Sequence, residues 1–127
     1  MENRVFSGAP AEDFAGFARA VIDVDRIYVS GTLGDDPDTG TLPEDVGEQA
    51  RNALKSIDAT LIEAGASIRN VVKARVYLTD AVDLGAVAKV LGEVFGDIRP
   101  TNTLVVCQIP RLGAKVEIEV TASIAKG

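Results

Sequence analysis

Histidine is absent from this 127-residue chain, and its absence narrows the available chemistry more than any motif does. Without an imidazole there is no Ser-His-Asp triad, no His-ligated zinc and no histidine proton relay. Proton transfer falls to carboxylates, Tyr, Cys, Lys, backbone groups or water. Cysteine is nearly absent too. Cys107 stands alone, which excludes an intrachain disulfide and agrees with a reducing compartment. No apolar run approaches the roughly 18–20 residues of a membrane span, and the first residues lack the basic and apolar regions of a signal peptide. A cytoplasmic location with no membrane partner is the expectation. Positive charge is also short: 13 Lys and Arg against 19 Asp and Glu give a net charge of −6. That balance argues against a nucleic-acid partner, although it leaves room for a local basic patch.

What is present reads as one soluble globular domain over residues 1–127, 46% hydrophobic and 25% charged, with no repeat, linker or low-complexity tract. Residues 4–7 read as a short strand. The stretch 14–22 carries Phe14, Phe17, Val21 and Ile22, and its end extends into a second strand. Asp23, Val24 and Asp25 turn the chain into a third strand over 26–30, making a hairpin. Residues 34–40, with Asp35, Asp36, Pro37, Asp38 and Gly40, form a turn-rich loop.

A long helix is expected from Thr41, Pro43 and Glu44, which fit a capping box with Pro in the first turn. Val46, Ala50, Ala53, Leu54, Ile57, Leu61 and Ile62 recur on one face, and Gly65 stops it. Residues 71–78 alternate as a half-buried strand with Val72, Ala74, Val76 and Leu78 inward. Asp80 and Asp83 cap a second helix with Val87, Val90, Leu91, Val94 and Phe95 on its apolar stripe and Gly96 at its end. Two last strands follow, one after Pro100 and one over 115–124. In the latter Val116, Ile118, Val120, Ala122 and Ile124 point inward while Lys115, Glu117, Glu119, Thr121 and Ser123 point outward. The order is β-β-β-α-β-α-β-β, a two-layer α+β domain: one mixed sheet of about six strands covered on one face by two helices. The other sheet face is solvated or packs on another subunit.

The order and several short motifs together are similar to the reactive-intermediate deaminase family, also called RidA or YjgF-like. The motifs are Ser30-Gly31, Pro37 to Gly40, Gln49-Ala50-Arg51, Ala64-Gly65, Val71-Val72-Lys73, Pro100-Thr101-Asn102-Thr103 and Val116-Glu117-Ile118-Glu119. The resemblance covers nearly the whole chain. It implies a chorismate-mutase-like fold and a homotrimer with small-molecule pockets in the clefts between subunits. Active members hydrolyse enamines or imines to keto acids and ammonia, using no cofactor and no metal. An arginine in Pro-Ala-Arg-Ser clamps the substrate carboxylate, and a glutamate near the last strand handles water.

Three positions depart from that pattern. Asn102 stands at the arginine, Phe17 at a tyrosine and Ala88 at a pocket asparagine; Ser30, Gly31 and Glu119 are retained. Asn is shorter and neutral, so it cannot replace the cationic fork of Arg. Either Asn102 binds a ligand of different polarity or it bonds local backbone. Arg99 and Arg111 are the cations nearest in sequence. Glu119 is the expected catalytic residue; alternatively Glu117 and Glu119 pair with Lys73 and Arg75 on a neighbouring strand. The binding set is Asn102, Ser30, Gly31, Phe17 and Thr103. Cys107 reads as a buried thiol, and Arg19 and Arg26 as surface charges. Two functions are carried forward: a deaminase-type hydrolase with altered specificity, and a trimeric metabolite-binding protein without chemistry. Endoribonuclease activity, another label of the family, ranks below both because of the acidic charge and absent histidine.

Overall fold

The computed structural model describes residues 2–125. Six strands form one sheet in the order β1-β2-β3-β6-β4-β5. They are β1 (Arg4–Val5), β2 (Ala20–Asp23), β3 (Arg26–Leu33), β4 (Val71–Leu78), β5 (Thr101–Val106) and β6 (Val116–Ser123). All neighbours are antiparallel except β4 and β5, which run parallel and are joined through a helix, as a parallel pair requires. The helices are α1 (Pro10–Ala15), α2 (Val46–Glu63) and α3 (Leu84–Phe95). The fold is two-layer α+β. No helix among the described residues is long and apolar enough to cross a membrane.

The core lies between one sheet face and the apolar stripes of α2 and α3. Ile27, Val29, Ala74, Val76, Val116, Ile118, Val120 and Ala122 are buried from the sheet, with Ala50, Ala53, Leu54, Ile57, Leu61, Val87, Val90 and Phe95 from the helices. Burying one such side chain is worth roughly 1.5–3 kcal/mol, so alternation along β6 is enough to fix which of its faces is covered.

Several expectations need correction. The cap of α2 is Asp45, whose carboxylate accepts from Glu48 N at 2.9 Å. The helix therefore starts at Val46, and Thr41 instead bonds within the preceding loop. An Asp with Glu three residues on satisfies the capping pattern as well as Thr41 and Glu44 do. Ile62, expected in the core, is 60% exposed. At the start of β4 the register slips between Val71 and Lys73, so Val71 is buried and Val72 lies 45% exposed; one extra residue reverses the alternation. The first strand ends at Val5, and α1 follows, an element the sequence did not announce. Ile124 lies beyond β6 and is exposed.

Candidate functional site

A bulge in β3 organises the region where the retained Ser30 and Gly31 lie. Val29 pairs with Val120 and Thr32 with Ile118, so two residues of β3, Ser30 and Gly31, face only Glu119 on β6. Such a bulge bends the strand and re-aims its groups. Local hydrogen bonds hold it: Ser30 Oγ donates to Ala18 O at 2.7 Å and Thr32 Oγ1 to Ser30 O at 2.8 Å. Arg19 Nη2 donates to Ser30 O at 2.7 Å and to Gly31 O at 2.9 Å. Ser30 is thus a strand-end hydrogen bonder in this chain. Gly31 leaves room for a carboxylate, since a Cβ there would sit 3.0 Å from Glu117 Cδ.

Beside the bulge opens a cavity of about 500 Å³. Phe17, Arg19, Gly31, Glu12 and Glu117 contribute to its wall. Glu12 is 5% exposed; its carboxylate accepts from Ser7 N at 3.0 Å and from Ser7 Oγ, fastening α1 to the chain after β1. Gly16, at φ 75°, ends α1 in the left-handed conformation that suits glycine. Phe17 follows directly, 42% exposed, as an aromatic wall with no hydroxyl. Burial pushes the Glu117 carboxyl above its usual range; Arg19 pulls it down and Glu119 adds to the rise. Arg19 is lowered by burial against the pull of Glu12 and Glu117. It is no free surface charge, contrary to the sequence reading.

Glu119 occupies a different setting on the same sheet face. It accepts a hydrogen bond from the Tyr77 hydroxyl and lies 3.9 Å from Arg75 Nη1. With Lys73, Arg75 and Thr121 it lines a hollow of about 60 Å³. The Tyr77 phenol is raised chiefly by that hydrogen bond to Glu119. The cross-strand pairing weighed for both glutamates is thus found for Glu119 with Arg75, while Glu117 faces the cavity.

Asn102 stands apart. On β5 it is aligned with the buried Ala74, on the helix-covered face of the sheet, whereas Glu117 and Glu119 are on the open face. It lines a groove of about 290 Å³ with Ala88, Gly92, Phe95 and Arg99. Arg99 donates from Nε to Gly96 O at 2.7 Å, and Arg111 is held by both oxygens of Asp35 at 2.6 and 3.1 Å. Thr103 pairs with Arg75 and is exposed. Within one chain the structure therefore brings Phe17 and Gly31 to one cavity with Ser30 beside Gly31 in the bulge, sets Glu119 opposite the bulge in a separate hollow, and leaves Asn102 on the opposite face. Cys107 is partly buried. Sequence reasoning passed over Arg19, Glu12 and Glu117 as walls of one cavity; α1, the segment entering β2 and the pairing of β3 with β6 bring them together from distant parts of the chain.

Residues 8–124 match the family described as Endoribonuclease L-PSP. The chain belongs to that family, the RidA/YjgF/UK114 group. Among its relatives is the rat protein named 2-iminobutanoate/2-iminopropanoate deaminase, 40% identical over 119 residues, which span 91% of this chain and 85% of the rat one. Among solved structures, a Mycobacterium tuberculosis member of the YjgF/YER057c/UK114 family superposes with a TM-score of 0.87 at 34% identity, covering 95% of this chain and 98% of that one. Escherichia coli TdcF, solved with bound serine, gives a TM-score of 0.80 at 26% identity, covering 98% and 96%. The chorismate-mutase-like fold expected from the family motifs is the fold of this RidA-family chain.

Proposed function

We propose that this protein is a small-metabolite hydrolase of the imine and enamine deaminase type, with its site at the Ser30–Gly31 bulge and an inter-subunit cleft completing it. The reaction adds water across the C=N bond to give a carbinolamine, which expels ammonia and leaves a carbonyl. A group that takes a proton from water and returns one to the departing nitrogen serves both steps, and its pKa must lie near the working pH. The observation that carries the proposal is Glu117: a carboxyl raised by burial, set against Gly31 in a cavity of metabolite size. Glu119 is bound to Tyr77 and Arg75, so in this reading the expected catalytic role passes to Glu117. Names of relatives such as the rat deaminase support the reaction class.

The homotrimer implied by the family motifs has its support in the sheet. The bulge and the Asn102 groove lie on opposite faces, so a pocket using both needs two chains. Strand β5 is at a sheet edge with Thr103, Val105 and Val106 exposed, available for a neighbouring copy to cover. In that arrangement Asn102 and Thr103 line the partner side of the cleft. RNA cleavage is the weaker reading, because the chain carries a net charge of −6 and no histidine.

The test is to generate imino acids in situ with an amino-acid oxidase and follow their decay. Wild-type protein should accelerate it. Glu117→Gln should lower the rate by about 100-fold or more, and Glu119→Gln by less than about tenfold. Decay unchanged by the wild-type protein, across imino acids and enamines, sinks the hydrolase reading and leaves the chemistry-free binding protein.

A further inference from the structure

Arg19 presents an imbalance that the fold alone does not resolve. A buried charge is ordinarily paired, because desolvation without a partner is costly. Arg19 is partly buried, and desolvation is the largest influence on its pKa. Yet no carboxylate among the described residues comes within ion-pair distance of it. Glu12, the carboxylate with the largest pull on it, is already engaged by Ser7. Of the guanidinium nitrogens, Nη2 is committed to Ser30 O and Gly31 O. Nε is buried with no acceptor, and Nη1 has no hydrogen bond among the described residues. The two carbonyl bonds fix the plane of the fork while part of its donor set stays unused.

We infer that Arg19 is the cation of this site, a specificity-determining residue that holds the carboxylate of a small anionic substrate in the cavity beside Glu117. A planar cationic fork suits a carboxylate, and one already immobilised loses little entropy on engaging it. The cavity supplies the rest of what such a ligand needs: Phe17 as an apolar wall and Glu117 as the proton carrier. Asn102 cannot do this work. It is neutral and has no cationic fork, even where a partner subunit brings it to the cleft. The carboxylate clamp has therefore moved from β5 to the segment entering β2, next to the carbonyls of the bulge. This assignment rests on the hydrolase reading of the same cavity for its substrate class, but its test is a binding measurement that needs no turnover.

The probes are pyruvate, the keto acid released from 2-iminopropanoate, and pyruvamide, which has a neutral amide in place of the carboxylate. Calorimetry on the 127-residue chain should find pyruvate bound more tightly than pyruvamide. Arg19→Gln should weaken pyruvate by roughly 30–100-fold, the loss of a charge-assisted pair, while pyruvamide changes by less than about threefold. Three results overturn the inference: equal wild-type affinity for the two probes, wild-type pyruvate affinity in Arg19→Gln, or equal loss of both probes, which would make Arg19 only a brace for the bulge. If Arg19→Gln fails to fold, the wild-type protein decides. The Arg19 Nε–Hε NMR signal, assigned against Arg19→Lys, should move on adding pyruvate and stay still on adding pyruvamide; no movement with pyruvate overturns the assignment. Arg19-dependent pyruvate binding without imine hydrolysis refutes the hydrolase reading alone. Imine hydrolysis undiminished in Arg19→Gln refutes this inference alone.

Discussion

Gln49 offers the sharpest test of how the loops around the site are held. It is fully buried on the first turn of α2. Its Nε2 donates to Pro43 O at 2.7 Å and to Gly113 O at 2.9 Å, and its Oε1 accepts from Lys115 N at 2.9 Å. One amide thus ties the loop before α2 to the loop that delivers the chain into β6, two residues ahead of Glu117. Gln49→Leu keeps the volume and removes all three bonds. Each orphaned group costs about 1–3 kcal/mol; the two carbonyls, nearer the surface, fall at the low end and the Lys115 N–H higher. The expected loss is about 3–5 kcal/mol, which for a domain of this length lowers Tm by roughly 10–20 °C. Urea and thermal unfolding at fixed protomer concentration measure it, since any assembly makes stability concentration-dependent. Hydrogen exchange at Lys115 N–H should quicken in the same variant. A loss under about 1 kcal/mol with unchanged exchange would refute the reasoning.

Two further predictions concern the same neighbourhood. In Gly34→Ala the new Cβ would lie 2.1 Å from Gln49 O and 2.4 Å from Gln49 Cα; backbone must shift, so at least about 3 kcal/mol is lost, and an unfolding midpoint like that of wild type refutes it. For Glu117 the folded pKa is raised above 4.5 by burial. The folded state then binds the proton more tightly, so its stability falls as pH rises from 4.5 through the raised value. Glu117→Gln should therefore gain in Tm relative to wild type as pH rises through that window, with no such gain below it. A difference that stays flat or runs the other way contradicts the assigned cause.

Strong periodicity explains what was legible. The stripes of α2 and α3 and the alternation of β6 each have one burial pattern that removes their apolar side chains from water, so their faces followed directly. Helix α1 was invisible because its one large apolar residue, Phe14, is 95% exposed, which leaves no pattern to read. The slip that buries Val71 instead of Val72 depends on the partner strand β6, and no local property of residues 71–73 encodes it. The same holds for the two glutamates. Glu117 and Glu119 share a strand, a face and a chemistry, so sequence cannot rank them. The pairing of β3 with β6 gives them different surroundings: the bulge sets Gly31 against Glu117, and Tyr77 and Arg75 take up Glu119.

The family motifs, too, divide once their contacts are known. Gln49 recurs in the motif list as a helix-start landmark, yet its three hydrogen bonds are structural and touch no cavity atom. Ser30, also a landmark, spends its hydroxyl on Ala18 O. Gly31 is the member of the set whose lack of a side chain opens space at a titrating carboxyl. Motif strength therefore measures how firmly this fold is specified, and says little about which groups react. The groups proposed above for the chemistry, Arg19 and Glu117, read as an ordinary surface charge and a strand-pairing residue in sequence. Their partly buried, incompletely paired state arises only when α1 and the β3 bulge close around them. On the Arg19 proposal, such a site takes its cation from the segment entering β2 instead of from β5 with no change of fold.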